Sequence, residues 1–320
     1  MEQAPPPLPP DSGPTRLARP PIGPPRRVPR PWVNLLLLAL TTLSVGFAGW
    51  LWEGGFFVLD TEGFAAAIAA FFEPTGLLAA LPYTLSLLGI LGAHEMGHYL
   101  ACRYYGIPAT LPFFIPGIGF GTFGAVIRIR GIIPHRRALF DIAAAGPLAG
   151  FALALPVLIL GILDLRSVPE TAAPAEQGIF FGDSILTYGL VRLLRGPGAY
   201  ESGSLFLASW FGLLVTSMNL FPVGQLDGGH IAYSISRRLH RVLSWTVVVV
   251  LTSWVVVYSV ANGMLSVYTL WCVVLLWMRD RHPRVRIEGV PLGRGRVIVA
   301  VVLLVVFVLT FMPVPLTIIE

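Results

Sequence analysis

His94-Glu95-Met96-Gly97-His98 is the stretch whose residue types and spacing could do chemistry. It lies inside a run, Gly76 to Tyr104, that is otherwise almost wholly apolar and long enough to cross a bilayer. On a helix, residues four apart share a face, so His94 and His98 can reach one metal ion. Glu95, one residue on from His94, can then approach a water held by that metal. An ionisable side chain at the centre of a bilayer costs on the order of 2.5 to 3.5 kcal/mol. Three within five positions therefore need a function. The competing reading, histidines that merely hydrogen-bond to neighbouring helices, leaves the whole motif as a coincidence.

Two histidines leave a catalytic zinc site one protein ligand short, since such sites take three plus a water. The candidates for the third are His135, His230, His240, His282 and any buried acid. Asp227 is the strongest. It follows a break at Pro222 and Gly224 that ends a helix and exposes backbone, and Gly228 and Gly229 beside it permit close approach. Capping the next helix is a second role open to Asp227 and does not exclude the first. His230, three residues on, reads as a supporting or structural residue.

Composition bounds the elements that must position these groups. The 320 residues are 55% hydrophobic and 12% charged, with a mean hydropathy of +0.75. That is about half the charge of a soluble domain. Several apolar runs approach or exceed the ~20 residues of a spanning helix. The fold expected is an all-α polytopic membrane protein. It has about six to seven transmembrane helices, a three-helix catalytic core and a small re-entrant β element. Spans are expected at 32–52, 76–104, 140–163, 204–221, 243–260, 265–278 and 297–312, the sixth being short for a full crossing. Cys102 and Cys272 lie in apolar segments and form no Cys-x-x-Cys pair, so both read as small buried hydrophobes.

All 22 basic residues are Arg, and their distribution excludes nucleic acid as the reason for the +5 charge. Nineteen lie in the N-terminal tail, at the exit of the second span, or in the loops 106–139, 236–242 and 279–296. Only Arg166, Arg192 and Arg195 lie on the other side. The positive-inside rule makes the Arg-rich side, and the N-terminus, cytoplasmic. The second and fourth spans then both run inward, bringing His94, His98 and Asp227 to the same half of the bilayer. The absence of Lys beside abundant Ala, Gly, Pro and Arg favours a GC-rich bacterial genome, hence a bacterial inner membrane.

Along the chain, residues 1–31 hold 12 of the 28 prolines and form a disordered, Pro- and Arg-rich cytoplasmic tail. The membrane domain is 32–320, with its catalytic core at about 78–235 and C-terminal helices at about 243–313. Phe64 to Phe72 suits the membrane interface, and Ile185 to Leu194 is amphipathic. Val126 to Arg130 alternates with period two, which argues for a strand. Non-helical backbone near a membrane is tolerated where it pairs or lines a cavity. An edge strand over Ala125 to Arg130 could hold an unwound substrate by strand addition. The plain alternative is an ordinary cytoplasmic hairpin. Gly146 and Gly150, in Ala-Ala-Ala-Gly-Pro-Leu-Ala-Gly, read first as helix-packing residues.

The chain resembles the site-2 protease family of intramembrane zinc metalloproteases, in the branch without a PDZ domain that includes chloroplast members. The residues that carry this are His94-Glu95-Met96-Gly97-His98, Asn219-Leu220-Phe221-Pro222-Val223-Gly224-Gln225-Leu226-Asp227-Gly228-Gly229 and, between them, Gly146-Pro147-Leu148-Ala149-Gly150. The resemblance implies that His94, His98 and Asp227 hold Zn2+, that Glu95 is the general acid and base, and that Asn219 positions the substrate. It implies hydrolysis of peptide bonds in or near a single-span segment or signal-peptide remnant. Many family members have Asn where this chain has Gly150, so a polar contact is missing here. Two other functions compete. One is a protease homologue that binds membrane segments without cutting, against which intact Glu95 argues. The other is a metal or proton transporter, which has no need of Glu95.

Overall fold

The computed structural model describes residues 31–168, 178–263, 266, 268–279, 282, 285–287, 289 and 291–319. The Pro-rich tail expected at 1–31 lies outside these residues apart from Pro31. Helices dominate. Among the described residues, four are long and apolar enough to cross a membrane by length and composition, at Pro31–Glu62, Pro74–Tyr104, Arg136–Leu163 and Arg237–Asn262.

The first of these is α1 (Pro31–Trp50), continued through a widened turn at Leu51–Gly55 into α2 (Phe56–Glu62). The kink falls at Glu53 and Gly54, where φ reaches 114° at the glycine. It turns the Glu53 carboxylate onto the backbone N–H of Ser204, 2.8 Å away. The interfacial patch is α3 (Phe64–Phe71). α4 (Pro74–Tyr104) opens with Pro in its first turn, where no N–H is needed, and runs 31 residues, about 46 Å. α5 (Arg136–Leu163) is capped by the His135 side chain, which accepts from Ala138 N–H at 3.1 Å.

Between α4 and α5 lies an antiparallel hairpin of β1 (Phe113–Pro116) and β2 (Thr122–Val126), with Phe113 opposite Val126. The strand begins four residues before the expected Val126 to Arg130, because Thr122 ties the turn by accepting from Gly124 N–H and donating to Ile115. Pairing nevertheless continues past β2. Thr110 N–H donates to Arg128, Arg130 N–H donates to Pro108, and Ala109 faces Ile129. The hairpin rests on α1, where Asn34 donates to the Leu111 and Pro112 carbonyls and Ser44 to Gly121.

The chain then forms β3 (Arg166–Ser167), β4 (Gly178–Phe181), the expected amphipathic α6 (Ile185–Leu194), β5 (Tyr200–Glu201) and α7 (Ser204–Asn219). A capping box of Ser184 and Thr187 starts α6. After a tight turn come α8 (Asp227–Ile235), α9 (Arg237–Asn262), α10 (Tyr268–Met278), α11 (Arg294–Thr310) and β6 (Leu316–Ile319), which pairs with β4. α7, α10 and α11 are spans in the expected list but have only 16, 11 and 17 residues as helices.

α4, α5 and α7 pack as the central trio. Glycines set their spacing: a Cβ on Gly97 would stand 2.4 Å from the Ala145 carbonyl, and one on Gly161 would stand 2.5 Å from the Phe206 backbone. Ile90, Leu158, Ile162, Trp210 and Leu213 fill the space between them. α9 and α10 form a second apolar cluster around Val248, Leu251, Tyr268 and Leu275.

Candidate metal centre

α4 presents His94 and His98 on one face, as their spacing demands, with ring centroids 4.9 Å apart. His94, Glu95 and His98 are only 3, 7 and 7% exposed, so each needs a partner inside the protein. The turn after α7 supplies it. Gly224 takes φ +56°, and its carbonyl accepts from His240 at 3.1 Å, while Ser244 donates to Pro222. α9 thereby fixes the turn and aims Asp227, the first residue of α8, at α4. Leu226, not Asp227, holds the cap position, and Asp227 makes no capping bond. The carboxylate is left for the histidines: Asp227 Oδ2 lies 3.2 Å from His94 Nε2 and 3.3 Å from His98 Nε2.

α5 closes the site from behind. The Ile142 carbonyl accepts from His98 Nδ1 at 2.7 Å, which leaves Nε2 as the ring nitrogen that faces Asp227 and could ligate a metal. Gly146 lies against that ring, since a Cβ there would stand 2.1 Å from His98 Nε2. A Cβ on Gly150 would stand 3.1 Å from His94 Nδ1, a buried nitrogen with no hydrogen-bond partner. The first reading of both glycines as packing residues thus gains a second content: they make room for the two imidazoles. Gly228 and Gly229 do the same for Asp227, because Cβ atoms there would lie 2.0 Å from the Leu220 carbonyl and 2.6 Å from that of Gly224.

The extended segment that runs on from β2 supplies the fourth wall. The Ile127 N–H donates to Glu95 Oε2 at 2.8 Å. The Arg128 and Arg130 N–H groups point the other way, to Thr110 and Pro108. Ile127 therefore turns its backbone toward the site, with no strand against that side among the described residues. A cavity of about 230 Å3 lies here, lined by His94, Glu95, His98, Ala125 to Ile127, Asn219 and Asp227 among others. The Asn219 amide nitrogen is 3.5 Å from His94 Nε2. His230 borders the cavity as well and shares a 2.8 Å hydrogen bond with His282, which stacks on Tyr233.

These residues fit a zinc ion. Tetrahedral ligation with bonds of about 2.0–2.1 Å separates neighbouring ligand atoms by about 3.3–3.4 Å. Asp227 Oδ2 stands at nearly that distance from both Nε2 atoms. Glu95 also brings a carboxylate oxygen within 4.8 Å of the histidine ligand atoms, but its bond to Ile127 draws it toward the strand. Of the other candidate ligands, His135 caps α5, His240 holds the Gly224 carbonyl, and His230 and His282 bond to each other. The Ile142 carbonyl and the Ile127 N–H were not legible beforehand, because main-chain groups carry no residue-type signal. Gln225 is exposed at the cavity rim, and as a neutral residue in a turn it carries no ligand signal in the sequence.

The family model of peptidase family M50 matches residues 82–261, the stretch that carries every one of these groups except His282. The chain belongs to this family, that of the site-2 proteases. Among its M50 relatives are the probable zinc metalloproteases EGY2 and EGY1, chloroplastic, of Arabidopsis thaliana. They are 38% identical over 183 and 158 residues, covering 53% and 47% of this chain and 31% and 29% of their own. EGY2 of Oryza sativa subsp. indica is 34% identical over 206 residues, 61% of this chain and 35% of its own. The chain thus spans about a third of the length of these curated relatives.

Proposed function

We propose that this M50 chain is an intramembrane zinc endopeptidase that cuts peptide bonds within or near the membrane-spanning segment of a substrate protein. The single observation that supports it most is the Asp227 carboxylate set against two imidazole Nε2 atoms, beside the Glu95 carboxylate held by the Ile127 N–H, inside a helical membrane protein. His94, His98 and Asp227 would hold the metal. Zinc, when bound, supplies Lewis-acid polarisation and water activation near neutral pH.

The remaining work falls to the chain's own groups. Glu95 takes the proton of the attacking water and returns it to the leaving amine. Asn219, which lines the cavity with its amide nitrogen 3.5 Å from His94 Nε2, orients the substrate carbonyl. Peptide bonds in a substrate helix are shielded by their own hydrogen bonds, so the segment must unwind. The site-facing edge at Ala125 to Ile129 offers main-chain partners for an extended strand. The Ile127 N–H holds the Glu95 carboxylate at the same edge, so a strand lying along it brings its carbonyls to the base.

The membrane assigned is the bacterial cytoplasmic one, with the N-terminus inside, on the Arg distribution and composition. Chloroplast location is a property named for the plant relatives.

The test is cleavage of single-span segments by the purified chain in proteoliposomes, with new termini mapped by mass spectrometry. The wild type is expected to produce termini inside or at the edge of the apolar segment, and Glu95→Gln none. Segment binding without cleavage by a zinc-loaded wild type would replace the protease reading with that of a non-catalytic homologue.

A further inference from the structure

A second cavity, of about 420 Å3, lies between the N-terminal parts of α5 and α11. It shares no lining residue with the metal centre. Its two ends differ in chemistry. At the end where both helices begin, Arg294 is exposed and Arg296 half-buried, and Arg137 Nε donates to the Pro291 carbonyl at 2.6 Å. Asp141 answers Arg296 alone, with two bonds of 2.6 and 2.7 Å, and is itself held by the Tyr105 hydroxyl. Among the described residues, the lining Arg294 and Arg296, with Arg137 just beyond them, stand against the one lining carboxylate of Asp141, so this end is cationic. The walls then run apolar along Ala145, Leu148 and Val299. Leu148 is seven residues beyond Asp141, about 10 Å further along α5.

Both helices pass from Arg to apolar sequence at this point, so the cationic end sits where a spanning helix meets the headgroup layer. Residues of α11 turned away from the bundle, such as Ile298 and Val301, are exposed apolar side chains suited to acyl chains.

We propose that this cavity is a binding site for an anionic phospholipid, the phosphate held by Arg294, which lines the cavity, with Arg137 just beyond the lining beside Pro291, and an acyl chain lying along Leu148 and Val299. A free phosphate would leave the apolar walls unused. A zwitterionic headgroup would bring its ammonium toward the guanidinium groups. Basic pockets between membrane helices hold anionic headgroups for these reasons. The inference rests on the membrane setting of the helices and is independent of the protease reading. Its consequence for the site is mechanical: Phe140, Asp141, Ala144 and Ala145 border this cavity, and between them the same stretch of α5 carries the Ile142 carbonyl that orients His98.

The experiment uses the purified full chain, stripped of lipid in detergent and titrated with phosphatidylglycerol or phosphatidylcholine, with bound lipid counted by native mass spectrometry. The wild type is expected to retain about one phosphatidylglycerol at concentrations where phosphatidylcholine is lost. Arg137→Gln with Arg294→Gln should weaken that retention about tenfold. Val299→Trp, which fills the apolar end and leaves the guanidinium groups in place, should weaken it as well. Arg238→Gln with Arg241→Gln, on α9 and outside the cavity, should leave it unchanged. Thermal unfolding of each variant without lipid confirms that the fold is intact. Equal retention of both lipids, equal loss in the α9 variant, or full displacement of phosphatidylglycerol by millimolar inorganic phosphate would overturn the proposal.

Discussion

Gly146 and His98 are in direct contact: a single Cβ added to the glycine would stand 2.1 Å from the imidazole Nε2 that faces Asp227. No rotamer change at position 146 relieves this, because Cβ is fixed by the backbone. The ring would have to swing away, breaking the 2.7 Å bond from Nδ1 to the Ile142 carbonyl. Gly146→Ala is therefore expected to weaken zinc binding to the upper end of the about 10- to 100-fold range seen when a ligand's support is lost. Zinc titration of the purified variant checks this, with circular dichroism expected to be unchanged. Native zinc affinity in Gly146→Ala would contradict the placement of the ring.

Gly150 makes the opposite prediction. His94 Nδ1 is buried without a partner beside a residue that has no side chain. An Asn there can place its amide oxygen on that nitrogen once the ring yields a few tenths of an ångström from a 3.1 Å approach. Gly150→Asn is expected to tighten zinc binding about tenfold, whereas Gly150→Leu, of similar size and without the acceptor, should weaken it. Competition with a calibrated chelator reads both. Loss in both variants would mean that crowding outweighs the hydrogen bond.

The edge of β2 can be tested separately from the metal. Ile127→Pro removes the N–H that donates to Glu95 and blocks strand addition at that position. A hydrogen bond to a charged group is worth about 1.5–3 kcal/mol, so turnover should fall about 10- to 100-fold. Zinc content should not change, since neither His nor Asp227 contacts Ile127 by hydrogen bond. Full turnover in a folded, zinc-loaded Ile127→Pro protein would remove the strand from the mechanism.

Much of this site was legible in the sequence, and what was not has a physical cause. His94, Glu95 and His98 announce themselves because charge is rare in an apolar helix. Asp227 does so because Pro222 and Gly224 end one helix and start another. The structure brings these groups together across 133 positions of chain. The first span, expected at 32–52, instead continues through a kink at Gly54 to Glu62, because a glycine at φ 114° can redirect a helix where its charge and glycines suggest an end. The strand register was missed because side-chain alternation marks Val126 to Arg130, whereas the ladder is set by Thr122 and the turn. Gly146 and Gly150 looked like packing residues because a glycine does not disclose which neighbour needs its space. α10 and α11 were expected as spans on hydropathy alone, but as helices they have only 11 and 17 residues.

The zinc site proposed above consists of His94, His98 and Asp227 sharing one ion. Metal content per chain, measured on purified wild type beside Asp227→Ala and Glu95→Gln, tests it without any substrate. About one zinc per chain is expected in the wild type, the same in Glu95→Gln, and a marked loss in Asp227→Ala. A folded wild type that holds no zinc after exposure to it, or an Asp227→Ala variant that holds it as tightly as the wild type, would contradict it.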